Sequence, residues 1–250
     1  MKSSPKTRNL GRKLSFQALE KRDLMAANVK ASLSGSTLVI EGTPGNDNVA
    51  VQYDSRLGTT VYSSGRAIKT FLNVYNSIDA KMLDGSDRFS LQAYAHNNLE
   101  SVAVNMGRGN SEVVLLNIGS TRNLNVNAKE SVGTYVALNV NVRDQALVDF
   151  GNDTGRDELL TGVAGRTASF NKLSVNMGAG SDKLSFFATS IQSLTANMGS
   201  DNDTIQADRN THISSGVVDG ASGSNDYFTK YGSPLNGIAI RGMEVVRNGY

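Results

Sequence analysis

The chain has no cysteine and no tryptophan, and it has only three prolines. Without cysteine it can form neither a disulfide framework nor a thiolate metal site. It also lacks any apolar run near the roughly 18 residues that a membrane-spanning helix needs, so we predict no membrane span. The longest apolar run near the N-terminus, residues 24–27, is too short for the apolar region of an ordinary secretory signal peptide.

Glycine and asparagine are abundant, with 25 residues of each. Both residue types tolerate a positive φ angle, so this composition indicates many tight turns and therefore many short strands. Aromatic residues make up only 6% of the chain, so the core must be built from Val, Leu, Ile, Ala and Met. We predict an all-β protein.

The positive charge of the chain is concentrated in residues 1–27. This segment holds seven Lys/Arg and two acidic residues, so its charge exceeds the net +2 of the whole chain and the rest is slightly acidic. We predict a basic, flexible or targeting tail. Because few aromatics interleave with the basic residues and the body is acidic, we predict no nucleic-acid partner.

A long repeat organises the chain after residue 76. One recurring position is occupied by Gly85, Gly107, Lys129, Gly151, Gly178, Gly199 and Gly220, at spacings of 22, 22, 22, 27, 21 and 21 residues. The residues five and three positions earlier are nearly all apolar, as in Val102/Val104 and Leu173/Val175. Alternation with period two is typical of a strand with one buried face, and a constant period of this length is typical of stacked repeats.

These patterns predict a single-stranded parallel β-helix, a β-solenoid with coils of about 21–22 residues. We expect about seven coils over residues 77–250, and an antiparallel β cap over residues 28–76, where the sequence has hairpin-like alternation. In this register the row of residues just before the repeat glycine is polar at its ends, with Asp84 and Asp219. A last strand over residues 238–246 should close the open edge, and the five additional residues within 151–167 should form a loop.

The turns resemble those of the calcium-binding RTX proteins. The stretch G-A-G-S-D-K-L-S-F, residues 178–186, fits the RTX nonapeptide except at one glycine, and Asp182 and Asp203 share one offset in neighbouring coils. The resemblance implies Ca²⁺ as a candidate cofactor. The candidate ligands are Asp182, Asp203, Asp201 and Asp226, since Ca²⁺ takes six to eight oxygen ligands.

A second interpretation of these aspartates stays open. Each carboxylate can instead accept backbone N–H bonds in its own turn. The repeat is much longer than nine residues, the double glycine is mostly lost, and Ser111 occupies the position of an aspartate. These departures from the RTX pattern favour the turn interpretation.

Residues 19–26, L-E-K-R-D-L-M-A, resemble the L-E-x-R-x-L-L-A signature near the start of many large bacterial exported and surface proteins. In that family strand-rich G-N-D repeats follow, and here GTPGNDNVAV follows at residues 42–51. The resemblance implies an extracellular or cell-surface location, with cell-envelope or matrix components as partners, polysaccharide among them. The resemblance does not decide whether the chain is a monomer or associates end to end.

An enzyme must also be considered, because some β-helices cleave polysaccharides. The densest group of acidic and basic side chains comprises Asp149, Asp153, Arg156 and Asp157, whereas His96 and His212 lie at different offsets in different coils. Local ion pairs on a solvated turn explain this group without catalysis. We therefore predict a non-catalytic structural or adhesive module, with a carbohydrate-binding or polysaccharide-cleaving β-helix as the alternative.

Overall fold

The computed structural model describes residues 28–54, 56–72, 75–93, 98–162, 167–223, 226–232 and 237–247. The predicted tail and His96 lie outside these ranges. The described residues form twenty strands: β1 Lys30–Ser34, β2 Thr37–Glu41, β3 Asn48–Asp54, β4 Gly58–Ser63, β5 Arg66–Phe71, β6 Ser77–Lys81, β7 Arg88–Ala93, β8 Asn98–Asn105, β9 Glu112–Asn127, β10 Tyr135–Asp149, β11 Glu158–Thr161, β12 Ala168–Asn176, β13 Lys183–Phe186, β14 Thr189–Asn197, β15 Thr204–Ala207, β16 His212–Ile213, β17 Gly216–Asp219, β18 Tyr227–Lys230, β19 Ile238–Arg241 and β20 Glu244–Arg247.

The strands stack in parallel from one coil to the next. Stack 1 runs in the order β2, β6, β8, β9, β10, β12, β14, β17 and β19, with the longer strands contributing their C-terminal parts. Stack 2 runs β3, β7, β9, β10, β11, β13, β15, β18 and β20. A shorter stack 3 is formed by the N-terminal parts of β8, β12 and β14, the middle parts of β9 and β10, and β16. The predicted parallel β-solenoid is confirmed.

The core is one continuous cluster of buried side chains that runs through all the coils. The alternating pairs predicted to face inward in the middle coils, from Val102/Val104 to Leu194/Ala196, are all buried. Each coil is one layer of this core, so an isolated coil could not bury its apolar face.

The repeat register differs from the prediction at its two ends. Ile78 pairs with Val102 and Ala80 with Val104, so Leu83, and not Gly85, is the partner position of Gly107. Leu194 pairs with Gly216, so Ala221 occupies the position that was predicted for Gly220. The row that was expected to end in Asp84 and Asp219 therefore contains Met82 and Gly220 at those places.

Antiparallel pairing is found at the N-terminal end, as the predicted cap requires. β1 pairs with β2, and β3, β4 and β5 pair in succession. β2 and β3 also pair in parallel with β6 and β7, so these two strands already belong to stacks 1 and 2.

The C-terminal end differs from the prediction, because residues 238–246 do not form one strand. The chain turns at Gly242 and Met243, and β19 and β20 join stack 1 and stack 2 separately. The φ angle of +65° at Gly242 lies in the left-handed region that favours glycine, which explains the break.

The five additional residues of the long repeat lie after β11. Leu138 pairs with Thr161 and Asn141 pairs with Ser169, so the later coil is longer between these positions. Residues 163–166 of this segment lie outside the described ranges. Within the described part of the chain, no helix is long and apolar enough to cross a membrane.

Candidate functional site: the aspartate column

In every coil but the last, where Met243 precedes β20, a polar residue lies directly before the strand of stack 2. The residues at this position are Asp47, Asp87, Ser111, Thr134, Asp157, Asp182, Asp203 and Asp226. We call them the aspartate column. Parallel pairing of the following strands aligns them from coil to coil, as Lys183 with Thr204 shows for Asp182 and Asp203. The shared offset of these two aspartates is confirmed.

All members of the column are buried. Asp157 and Asp203 have no exposed surface, and the most exposed member, Asp47, is 8% exposed. A buried carboxylate is costly unless it is hydrogen-bonded or paired, so its contacts decide what it can do.

Every column carboxylate except that of Asp47 binds the backbone of the preceding coil. The Asp226 Oδ1 accepts from the Asp203 N–H at 2.8 Å, and the Asp203 Oδ1 accepts from the Asp182 N–H at 2.9 Å. The Asp182 Oδ1 accepts from the Asp157 N–H at 2.8 Å, and Asp157 and Asp87 make equivalent bonds. The result is a ladder of hydrogen bonds that connects the coils from Thr134 to Asp226, with a separate bond of the same kind between the coils of Asp47 and Asp87.

This ladder differs from the turn interpretation, in which each aspartate accepts a bond from its own turn. That arrangement does occur, but at Asp149, Asp153 and Asp219, which accept from the N–H two residues later. It also occurs in part at Asp47, whose Oδ2 accepts from the Thr43 N–H at 2.6 Å. The other column aspartates act between coils.

The second carboxylate oxygen of most column aspartates has no partner. Within the described part of the chain, the buried Oδ2 finds no hydrogen bond in Asp87, Asp157, Asp182, Asp203 and Asp226. An unpaired buried oxygen costs free energy, and a charged one costs more. These five oxygens therefore favour a bound proton or cation.

Burial raises the pKa of Asp157 and Asp203 to about 7, and it raises the pKa of Asp87 and Asp182 to about 6. The backbone hydrogen bond lowers each of these pKa values in part, while neighbouring carboxylates raise them further. The column thus holds carboxyl groups that titrate near neutral pH.

Of the four predicted calcium ligands, the structure aligns three and separates one. Asp182, Asp203 and Asp226 follow one another in the column. Asp201 is exposed and takes a left-handed φ of +78°, at the position where the preceding coil has Gly180. Among the described residues, no three carboxylate or imidazole side chains lie close enough to hold one ion.

The group comprising Asp149, Asp153, Arg156 and Asp157 does not form one outer site. Asp157 is buried in the column, whereas the Asp149 carboxylate pairs with Lys129 at 3.0 Å and accepts from the Asn176 amide at 3.0 Å. Arg156 lines a surface groove of about 370 Å³ together with Ser181, Asp182, Lys183, Asn202, Thr204 and Gln206.

Asn176 belongs to a second ladder, at the end of stack 1. Asn197 donates to the Asn176 Oδ1 at 3.0 Å, and Asn176 donates to Asp149. The side chains of Asn105 and Asn127 bind their own turns instead. His212 is exposed on β16, where its Nε2 lies 3.3 Å from the Ser214 Oγ.

The sequence pattern of the column could have been found before the structure. Six of its eight members are aspartates that directly precede an alternating apolar segment, and Ser111 was already placed at this offset. The pattern did not reveal that most of these side chains bind the backbone of the preceding coil. Comparison with known proteins finds no matching family model, no matching curated protein and no matching solved structure.

Proposed function

We propose that this chain is a non-catalytic structural or adhesive module that works outside the cell or on its surface. The observation that carries the proposal is the aspartate column. One oxygen of each of five carboxylates accepts a hydrogen bond from the neighbouring coil, and the carboxylates are not directed at a common reaction centre. A protein built this way uses its polar groups to hold a stacked rod together, and its outer faces remain for contact with partners.

The segment L-E-K-R-D-L-M-A at residues 19–26 supports export as part of this proposal. The test is labelling of intact cells that express the full chain with an epitope tag, before and after permeabilisation. We expect label on intact cells, and loss of that label in the Arg22→Ala variant. The matched control is Arg8→Ala, a basic residue outside the signature. Label only after permeabilisation would contradict the surface location.

Calcium is the cation that we propose for the column. The unpartnered Oδ2 atoms support it, and because no three acidic side chains converge, backbone carbonyls and water would have to complete the coordination. A ligand that binds only the folded chain raises its stability by mass action. We expect millimolar Ca²⁺ to raise the melting temperature over that measured in EDTA.

The control for the calcium experiment is a pair of variants. Asp203→Asn removes a column carboxylate and should reduce the calcium-dependent rise. Asp79→Asn removes a carboxylate outside the column, which pairs with Lys81 at 3.7 Å, and should leave the rise unchanged. The absence of any calcium-dependent rise would remove calcium from the proposal and leave the solenoid self-sufficient.

A carbohydrate-binding module is the second candidate. The groove at Arg156 and Lys183 favours it, because its hydroxyl, amide and cationic side chains can bind sugar hydroxyl and carboxylate groups. The test is a panel of neutral and acidic polysaccharides, scored for retention and for cleavage. Retention that is lost in Arg156→Ala and kept in Arg143→Ala would support the second candidate. The absence of both retention and cleavage for every polysaccharide in the panel would dismiss it.

A further inference from the structure

The N-terminal end of stack 2 is a free strand edge, and the hairpin that carries this edge also lines a groove. β5 pairs with β4 on one side, and no other strand in the described ranges pairs with its opposite side. Every β5 residue except Phe71 is exposed. Such an edge presents backbone N–H and C=O groups that an added strand can satisfy.

The groove beside β5 has a volume of about 970 Å³ and lies between the β4–β5 hairpin and the turn at residues 43–47. Asn28 and Val29, just before β1, also line it. This volume lies at the upper end of the range for ligand pockets.

A β-bulge shapes the groove. The β4–β5 register passes from Val61–Lys69 to Tyr62–Ala67, which leaves Ile68 as an additional residue. In a regular strand, consecutive side chains point to opposite faces, whereas here Arg66, Ala67 and Ile68 all line one groove. Bulges commonly re-aim side chains in this way next to functional sites.

The charge of the groove selects among its occupants. Arg66 makes no ion pair with any described carboxylate. The one acidic residue in the lining, Asp47, is buried, and its carboxylate accepts bonds from the Thr43 N–H and hydroxyl. If a second copy of the chain occupied this site, its Arg66 and Lys69 would lie against the same cations. If residues 1–27 of the chain occupied it, their strongly basic side chains would face Arg66. Like charges disfavour both of these occupants.

We propose that the β5 edge and its groove bind an extended acidic peptide of a partner protein, by addition of a strand to β5. The peptide backbone pairs with the free edge, alternate acidic side chains contact Arg66, and apolar side chains cover Ile68, which is 38% exposed.

The test uses fluorescence anisotropy with the full chain and two labelled peptides of about eight residues, the length of an ordinary strand. One alternates Val and Glu, and the other alternates Val and Lys. We expect the acidic peptide to bind and the basic peptide not to bind. Arg66→Glu should weaken binding at least about tenfold, while Arg143→Glu, an exposed arginine in β10, should leave it unchanged. Melting curves of both variants check that the fold is kept.

Four outcomes would overturn the proposal. Equal binding of both peptides would mean that charge does not select the partner. If acidic peptide binds only after removal of residues 1–27, the groove belongs to the chain's own tail. A concentration-dependent dimer in sedimentation that disappears in Arg66→Glu would assign the edge to a second copy. Absence of acidic-peptide binding at millimolar concentration in both the full and the shortened chain would also contradict it.

Discussion

The adjacent valines 217 and 218 have opposite environments. Val218 is fully buried in the inward row of β17, whereas Val217 is 36% exposed on the outer face. The pairing of Val218 with Ala196 fixes this register. A one-residue error in register would exchange the two valines, so they report on it directly.

We predict that Val218→Ala lowers the free energy of unfolding by about 1.5 to 3 kcal/mol, because it removes two buried methyl groups and leaves a cavity. Val217→Ala should change the free energy of unfolding by less than about 0.5 kcal/mol. Denaturant unfolding of both variants measures the difference. A larger loss for Val217→Ala would contradict the register at this end of the solenoid.

The aspartate column predicts an unusual dependence of stability on pH. The folded pKa values of about 6 and 7 lie above the ordinary value of 3.8, so the folded chain binds more protons than the unfolded chain. The stabilisation is fully present below about pH 4 and is lost as pH rises through 6 to 7. In calcium-free buffer, we expect the melting temperature to fall by several degrees from pH 5 to pH 8.

A substitution tests which group is responsible. Asp157→Asn keeps an oxygen that can accept from the Thr134 N–H and removes the charge, so it should flatten the pH dependence and raise the melting temperature at pH 8. Asp144→Asn, an exposed carboxylate on β10, should keep the slope of the parent chain. Stability that rises from pH 5 to pH 8 in calcium-free buffer would mean that the column is ionised and compensated in another way.

At the scale of the elements, the turns bring backbones of neighbouring coils into direct contact. Gly199 has a φ of +93°, and a Cβ at this position would overlap the Gly178 carbonyl oxygen. Gly35, in the hairpin between β1 and β2, also has a positive φ of +59°, but a Cβ there meets nothing within 4 Å. Substitutions at these two glycines therefore separate the cost of backbone strain from the cost of a steric clash between coils.

We predict that Gly35→Ala costs about 1 to 2 kcal/mol, the ordinary penalty of a left-handed residue with a side chain. Gly199→Ala should cost more than about 4 kcal/mol, or prevent folding, because the coils must move apart locally. Circular dichroism melts of both variants check the ranking. Similar losses for the two variants would show that neighbouring coils are not in contact at Gly199.

The same turns show what could be predicted from the sequence. The inward rows of the middle coils were predicted correctly, because a glycine or Lys129 follows each row at a fixed distance. At the ends, the left-handed position holds Leu83, with a φ of +69°, and Ala221, with a φ of +51°. Neither of these residues is a glycine. Taking the nearest glycine as the repeat position therefore placed the predicted register two residues too late at Gly85 and one residue too early at Gly220.

The contacts of the column could not be predicted in the same way. An aspartate before a strand can accept a bond from its own turn or from the preceding coil, and the residue types are identical in both cases. The choice depends on the distance between coils, which tertiary stacking sets. Asp201 shows the same limit, because it shares the sequence context of the column and yet replaces a turn glycine on the surface.

At the scale of the whole molecule, stability comes from contacts between neighbouring coils. Both main stacks run through the described length of the solenoid, and the ladder of the aspartate column follows the same axis. In such a protein the free energy of unfolding is approximately a sum of coil and interface contributions. The stability of the molecule therefore depends on the in-register parallel stacking of its coils.

Disulfide cross-linking tests this stacking most directly, because the chain contains no cysteine of its own. Ser174 and Thr195 are register partners on the outer face of β12 and β14, and Val217 is the partner of Thr195 in the next coil. Adjacent parallel strands lie about 4.8 Å apart, within reach of a disulfide, whereas two coils exceed the limit of about 7 Å. Under mild oxidation we expect the double variant Ser174→Cys/Thr195→Cys to form an intramolecular disulfide rapidly. The double variant Ser174→Cys/Val217→Cys should keep its free thiols. Equal rates of disulfide formation, or a disulfide in the second variant alone, would contradict the parallel stack.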